Sequence, residues 1–357
     1  MLVKIHNSRV LRLPSPNGQV IRERRCLLRK VPYSVFRAKS PMEDFILQYA
    51  VNQTDSIAGL RTCLLANCVV NVVSLFISSF GNAVILLSIW QTKTLHSPSN
   101  TLLFALSLTD FLVGIITQPL YITSRVYFLV TDKDGPRALQ TTFDVISSLL
   151  SGASFMTATL ISVDRYLVLL LHLRYRGLVT SKRILVFIFG SWLLSSIWGF
   201  TWTHDLQLFY FLGFVSSTLC FSIIVIMYCK IYRVIRRHRK EIHDQARFGE
   251  SESSSRVNFT SYTRSVLNTF IVCFLLFLCY FPYLCTAAVI QLGGHSPAKK
   301  MSLEVSGTII FINSSLNPFV YFWRVKEFRS AIKHTLQRLR ITKNEDGINS
   351  TYRDSWF

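Results

Sequence analysis

The chain has 357 residues, half of them hydrophobic and only 16% charged, with a formal net charge of +20 and a positive mean hydropathy. That balance excludes an ordinary soluble globular domain and makes lipid the main solvent. The basic surplus does not call for nucleic acid, because most Lys and Arg residues flank apolar runs, where anionic inner-leaflet lipid attracts them.

Residues 1–41 hold ten Lys/Arg against the single acid Glu23, and they lack the apolar core of a signal peptide. Met42 is therefore the expected biological start, opening an acidic extracellular stretch, 42–63, whose sequon Asn52-Gln53-Thr54 makes Asn52 the expected glycosylation site. A bilayer core of roughly 30 Å needs about 20 apolar residues per helix. Seven runs meet that need: one between Arg61 and Lys93, Thr101–Ser124 broken only by Asp110, Ala138–Val163 broken only by Asp144, then Ile184–Thr203, Leu206–Cys229, Ser265–Ala298 and Val305–Trp323.

An odd number of spans places the termini on opposite sides. Loops on one side carry 23 Lys/Arg and those on the other six, apart from the basic arm, so the carboxyl end is expected in the cytoplasm. The fold expected is all-α: a seven-transmembrane helix bundle over 64–323, then a short amphipathic eighth helix over 324–340, then a polar cytoplasmic tail over 341–357. In the eighth helix Phe328, Ala331, Ile332, Leu336 and Leu339 oppose Lys326, Arg329, Lys333, Arg338 and Arg340, the pattern of a segment lying on a membrane surface. Lys230–Arg247 is expected to prolong the fifth helix, and Gly249–Ser255, polar and Ser-rich, reads as flexible. Ser251, Ser253, Ser254 and Ser255 are candidate phosphorylation sites. None of the eight cysteines is expected to bridge extracellular loops.

Charges at membrane depth are functional candidates by default. Asp110 sits mid-span, with Asn82, Ser154, Asn313, Ser314 and Asn317 available in other spans. Such a carboxylate either holds a small cation or belongs to a structural polar network. Asp164-Arg165-Tyr166 closes the third span; its arginine is either held by the adjacent acid, free to swing to another helix, or simply snorkelling. Pro119, Pro282 and Pro318 interrupt spans two, six and seven and invite kinks. Asn317-Pro318-Phe319-Val320-Tyr321 adds an amide before the last kink and a phenol beyond it.

Together these residues resemble the rhodopsin-like family of G-protein-coupled receptors, over about 64–339. The likeness is carried by Gly81-Asn82, Asn100 with Leu106 to Asp110, Asp164-Arg165-Tyr166, Trp192, Tyr228, Cys279-Tyr280-Phe281-Pro282 and Asn317 to Tyr321. The resemblance implies an allosteric sodium site at Asp110, Ser154, Asn313 and Asn317. It implies a switch in which Asp164, Arg165, Tyr166, Tyr228, Tyr280, Pro282, Asn317, Pro318 and Tyr321 rearrange to admit a heterotrimeric G protein, with arrestin as a further partner. It also implies a plasma-membrane receptor for an extracellular peptide, nucleoside or lipid-like ligand, with no catalytic residue and no organic cofactor.

Departures from the family pattern narrow the placement. Gln140 replaces the disulfide cysteine, the loop before the fifth span shrinks to about Thr203-His204-Asp205, and Cys220 replaces a proline. These are similar to melanocortin receptors and place the chain near the melanocortin, lysophospholipid, cannabinoid and adenosine group. Ser147 stands where amine receptors carry their aspartate, which disfavours an amine ligand. Ligand-pocket candidates are Asp144, Ser147, Tyr283, Thr286 and Phe311, with Glu304 at the same mouth. Asp144 is either the anchor for a cationic ligand group or an ordinary solvated acid. Tyr280 and Leu276 replace the usual tryptophan and phenylalanine of the switch, and Tyr262 replaces an acid that restrains the arginine, so basal signalling is expected. The terminal Ser355-Trp356-Phe357 offers a carboxylate to a PDZ domain. Rival readings are a transporter, which would want inverted repeats or charged helices, and a non-signalling scaffold. An enzyme is the weakest rival, since His204-Asp205 has no nucleophile beside it.

Overall fold

The computed structural model describes residues 41–133, 135–171, 174–247, 253–294, 296–324 and 330. Regular structure among these residues is helical. Seven long helices follow one another: α1 Pro41–Gln91, α2 Pro98–Thr131, α3 Arg137–Leu171, α4 Ser181–His204, α5 Leu206–Arg247, α6 Ser253–Gly293 and α7 Pro297–Arg324. They pack as a bundle in which α1 lies on α2 and α7, α6 lies on α7, and α3 touches α2, α4, α5 and α6.

Short polar connections start and stop the helices. Ser97 caps α2 by accepting the Asn100 amide at 3.3 Å, with Pro98 in the first turn. Thr180 does the same for α4 at 3.4 Å. Between α4 and α5 stands Asp205 alone, its Oδ1 accepting from the Gln207 and Leu208 amides at 2.8 and 3.1 Å. Beside that turn, Trp198 stacks on Phe209 at 4.9 Å, donates its indole N–H to the Phe209 carbonyl at 3.0 Å, and leaves room only for Gly213. An aromatic clamp thus ties α4 to α5 at this end of the bundle. Inside α2 a π-helical turn, Val113–Thr117, precedes Pro119, which absorbs the backbone mismatch that the proline imposes.

The burial pattern is inverted relative to a soluble protein. Phe76, Phe80, Trp90, Phe187, Phe189, Leu193 and Phe211 are exposed, whereas Asn71, Ser78, Asn82, Ser107, Asp110 and Gln118 are wholly buried. Hydrocarbon can face the first set, but the second must find partners inside. Six of the helices are apolar and long enough to cross a membrane. The seventh, α7, is diluted by Asn313, Ser314, Ser315 and Asn317, all of which are buried. It completes the seven-helix bundle that the sequence leads one to expect.

Two boundaries differ from expectation. Helix α1 begins at Pro41, so Asn52 and the 42–63 stretch lie within helical backbone continuous with the first span; proline stands in that helix only at its first residue. Ser253, Ser254 and Ser255, expected in a flexible stretch, open α6, where serine suits a helix start. Residues 1–40 of the basic arm, the eighth helix apart from Arg324 and Ser330, the tail with Ser355-Trp356-Phe357, and Ser251 lie outside the described residues, as does the side chain of Tyr262.

Candidate functional site

Three polar centres lie along the bundle. At the centre, Asp110 of α2 is fully buried. Its Oδ2 accepts from Asn317 Nδ2 of α7 at 2.6 Å, and the Ser314 hydroxyl stands beside the carboxylate. Its Oδ1 has no hydrogen bond of normal geometry, nor do Ser154 Oγ and Asn313 Oδ1, both buried. Orphaned buried oxygens are rare in proteins because each costs desolvation without return. An oxygen-only set of this kind suits a hard cation, so the residues fit a sodium ion. Ser154 lies on α3 and Asn313 on α7.

At the Arg165 end, Asp164 accepts from Ser99 Oγ at 2.7 Å and from the Tyr175 phenol at 2.5 Å. Arg165 Nη2 lies 3.8 Å from Asp164 Oδ2. Burial, and then the bond to the Asp164 carboxylate, push the Tyr175 phenol above its ordinary range, so it remains a donor. Tyr228 packs edge-on against Phe270 of α6 at 4.9 Å, Tyr321 is buried with Ile161 and Val272, and Lys230 lies 5.4 Å over the Tyr166 ring. Tyr228 of α5 and Tyr321 of α7 therefore lie against α6, and Ser162 of α3, one turn from Arg165, meets Cys273 of α6 at 3.2 Å. Tyr280 and Leu276 sit one level further in: the Tyr280 ring meets Phe155 at 5.2 Å, its phenol donates to the Ser151 carbonyl at 3.0 Å, and Leu276 is buried beside them.

At the Asp144 end, Glu304 of α7 forms a bidentate pair with Arg125 of α2, at 2.9 and 3.0 Å, and accepts from the Tyr121 phenol at 3.1 Å. Both partners are largely buried. Arg125 stacks over Tyr121 and Phe143 at 5.2 and 5.9 Å, and the rings of Tyr121, Phe143 and Phe311 contact one another at 5.7 to 6.2 Å. Tyr283 packs on the same cluster. Asp144 is half-buried and lies within reach of the charges of Arg125 and Glu304. Among the described residues its carboxylate has no hydrogen bond or ion pair; Ser147 and Ser148 bond only its backbone carbonyl.

Tyr283 and Phe311 therefore belong to one aromatic cluster with Tyr121 and Phe143, the residue before Asp144. Thr286 does not join them: it lines a groove between α6 and α7 with Cys63, Pro282, Met301, Val305 and Ile309, its hydroxyl spent on the Pro282 carbonyl. Glu304 reaches the mouth, but as the partner of Arg125, which sequence reasoning did not single out. Ser99 and Tyr175 were also missed, and only their place in the short connections beside a charged tripeptide hinted at them.

Comparison with known proteins meets the same residues. The profile of the family described as "7 transmembrane receptor (rhodopsin family)" matches residues 81–208 and 199–321. The histamine H2 receptor of Canis lupus familiaris is 25% identical over 292 residues, covering 75% of this chain and 79% of that one. Trace amine-associated receptor 1 of Mus musculus is 28% identical over 284 residues, covering 72% and 84%. The adenosine receptor A2a of Canis lupus familiaris is 23% identical over 300 residues, covering 74% and 70%. The crystal structure of squid rhodopsin superposes with a TM-score of 0.65 at 17% identity, over 78% of this chain and 87% of that one, a likeness of fold. Of the group expected from the sequence, the adenosine receptor is represented here; the other two relatives lie outside it.

Proposed function

The chain belongs to the rhodopsin family of seven-transmembrane receptors, a family of receptors and not of enzymes, and on that premise we propose that it converts ligand binding at the Asp144 end into activation of a heterotrimeric G protein at the Arg165 end. The distribution of Lys and Arg supports a cytoplasmic Arg165 end at the plasma membrane. The observation that carries the reading is the packing of Tyr228 and Tyr321 against α6, with Arg165 beside Asp164 and Asp164 bonded to Ser99 and Tyr175. We assign this arrangement to a closed state, in equilibrium with one in which Arg165 has left Asp164. Ligand binding that favours an open inner face shifts that equilibrium.

Sodium is assigned to the closed state. Asp110, Ser154, Asn313 and Asn317 would hold it, and the ion would supply the positive charge that a buried carboxylate lacks. At the mouth, Asp144 is the acid assigned to the ligand, because Glu304 is already neutralised by Arg125. The relatives named for histamine and trace amines favour a ligand with a cationic group, although its charge would sit about one helical turn above the Ser147 level.

Nucleotide exchange on purified G proteins of each major class tests the reading, with the receptor in lipid nanodiscs. Exchange above empty nanodiscs, lost in Arg165→Ala, is expected. Absence of exchange with every class, from a folded receptor, would support a non-signalling seven-helix scaffold instead.

A further inference from the structure

Helix α1 carries Asn67, Asn71, Ser74, Ser78 and Asn82 at spacings of four, three, four and four, a single helical face. All five are buried. Hydrocarbon offers such groups nothing, so their partners must come from within the bundle. Asn67 turns to Cys63 of its own helix; the partners of the other four come from α2 and α7, in sequence from one end of the bundle to its middle. Tyr121 bonds Glu304 at the mouth, with Thr308 beside the same phenol. Thr308 Oγ1 accepts from Asn71 Nδ2 at 3.1 Å. Gln118 Nε2 reaches Asn71 Oδ1 at 3.4 Å and Ser74 Oγ at 2.9 Å. Ser74 and Ser315 share a hydroxyl bond of 2.6 Å, and Ser315 also donates to the Ser74 carbonyl at 3.0 Å. One turn further, Ser78 donates to the Asp110 carbonyl at 2.7 Å and Asn82 to the Ser314 carbonyl at 3.0 Å. The column ends on the Asp110–Asn317 bond.

We propose that this polar column joins the Arg125–Glu304 pair to the Asp110–Asn317 core as one coupled unit, with Gln118 and Asn71 as its positioning residues. It deepens the receptor reading by giving the mouth a route to the sodium-site core that passes through α1, α2 and α7 and avoids the altered Tyr280–Leu276 region of α6. Two features support cooperative behaviour. Releasing any one of these bonds strands a buried partner, so the links tend to move together. Gln118 Oε1, fully buried and without a hydrogen bond, gives the amide an unused acceptor, and thus a second bonding arrangement, when α7 shifts. The helices are in close contact along this column: a Cβ on Gly81 would lie 2.7 Å from Pro318 Cγ, and one on Gly114 2.6 Å from Ser79 Oγ.

Thermal unfolding of the purified full-length receptor tests this without any ligand. Glu304→Gln and Asn317→Ala are measured singly and together, in the wild-type background and in Gln118→Leu. Distant, independent sites add. A departure from additivity of about 2 °C or more is expected in the wild-type background, falling to nothing with Gln118→Leu. Additive shifts in both backgrounds, or the same departure in both, would overturn the coupling. Asn71→Leu interrupts the column at the next link and substitutes for Gln118→Leu should that variant not fold. Nucleotide exchange reads the receptor function separately, so a coupled column in a chain that activates no G protein would refute the receptor reading alone.

Discussion

Gly81 and Gly190 are both mid-helix glycines, and they make opposite predictions. A methyl group at Gly81 meets two ring atoms of Pro318 at 2.7 and 2.9 Å, whereas one at Gly190 meets nothing within 4 Å. Since a proline ring cannot rotate away, Gly81→Ala should cost about 1–3 kcal/mol, seen as a lower thermal midpoint. Gly190→Ala should leave the midpoint unchanged or raise it, by up to about 1 kcal/mol of helix propensity. Glu304→Gln strips a buried arginine of its counter-charge and should cost about 3 kcal/mol; removing Arg125 as well, as Arg125→Gln, should recover part of that loss in the same measurement. The charges Asp110, Asp144 and Arg165 were legible in the sequence because each interrupts or bounds an apolar run. The Arg125–Glu304 pair was not, because each residue lies near a span end, where a charge normally reaches water and needs no partner.

Among the elements, α6 is held to α3 by the Tyr280 phenol on the Ser151 carbonyl and by its ring on Phe155. Tyr280→Phe keeps the stack and deletes the bond, at a cost of about 1 kcal/mol. If that bond restrains the closed state, basal nucleotide exchange should rise several-fold in this variant; unchanged exchange at equal receptor levels would remove Tyr280 from the restraint. Helix positions were readable from hydropathy, because the bilayer demands long apolar runs. Helix faces were less so. The serines and asparagines of α1 look like scattered surface residues in a one-dimensional reading, and only the packing of α1 on α7 turns them inward. The π-turn of α2 was also invisible: Pro119 announced a kink, but not how the backbone would absorb it.

At the scale of the molecule, the proposed sodium ion would fill the orphaned oxygens around Asp110 and so stabilise one global state. Asp110→Asn should abolish the sodium dependence of thermal stability and of basal exchange, while sodium protects the wild-type chain by mass action. Identical salt responses in the two proteins would rule out the ion as that stabiliser. The seven-helix fold and the order of its signatures were legible in the amino-acid sequence, because membrane insertion fixes helix length and the rhodopsin-like pattern fixes depth. The mouth was only partly legible. Thr286 faces a groove on the α6–α7 side, since helical phase near the Pro282 kink cannot be projected from spacing alone.

The turn between α4 and α5, reduced to Asp205 and braced by Trp198 on Phe209, has a kinetic corollary. In a receptor where a long segment folds over the opening, entry and exit wait on that segment's motion. Here this connection provides no such door. Residence time should then follow the strength of contacts at the floor and walls, and mutations there should alter departure rates far more than arrival rates.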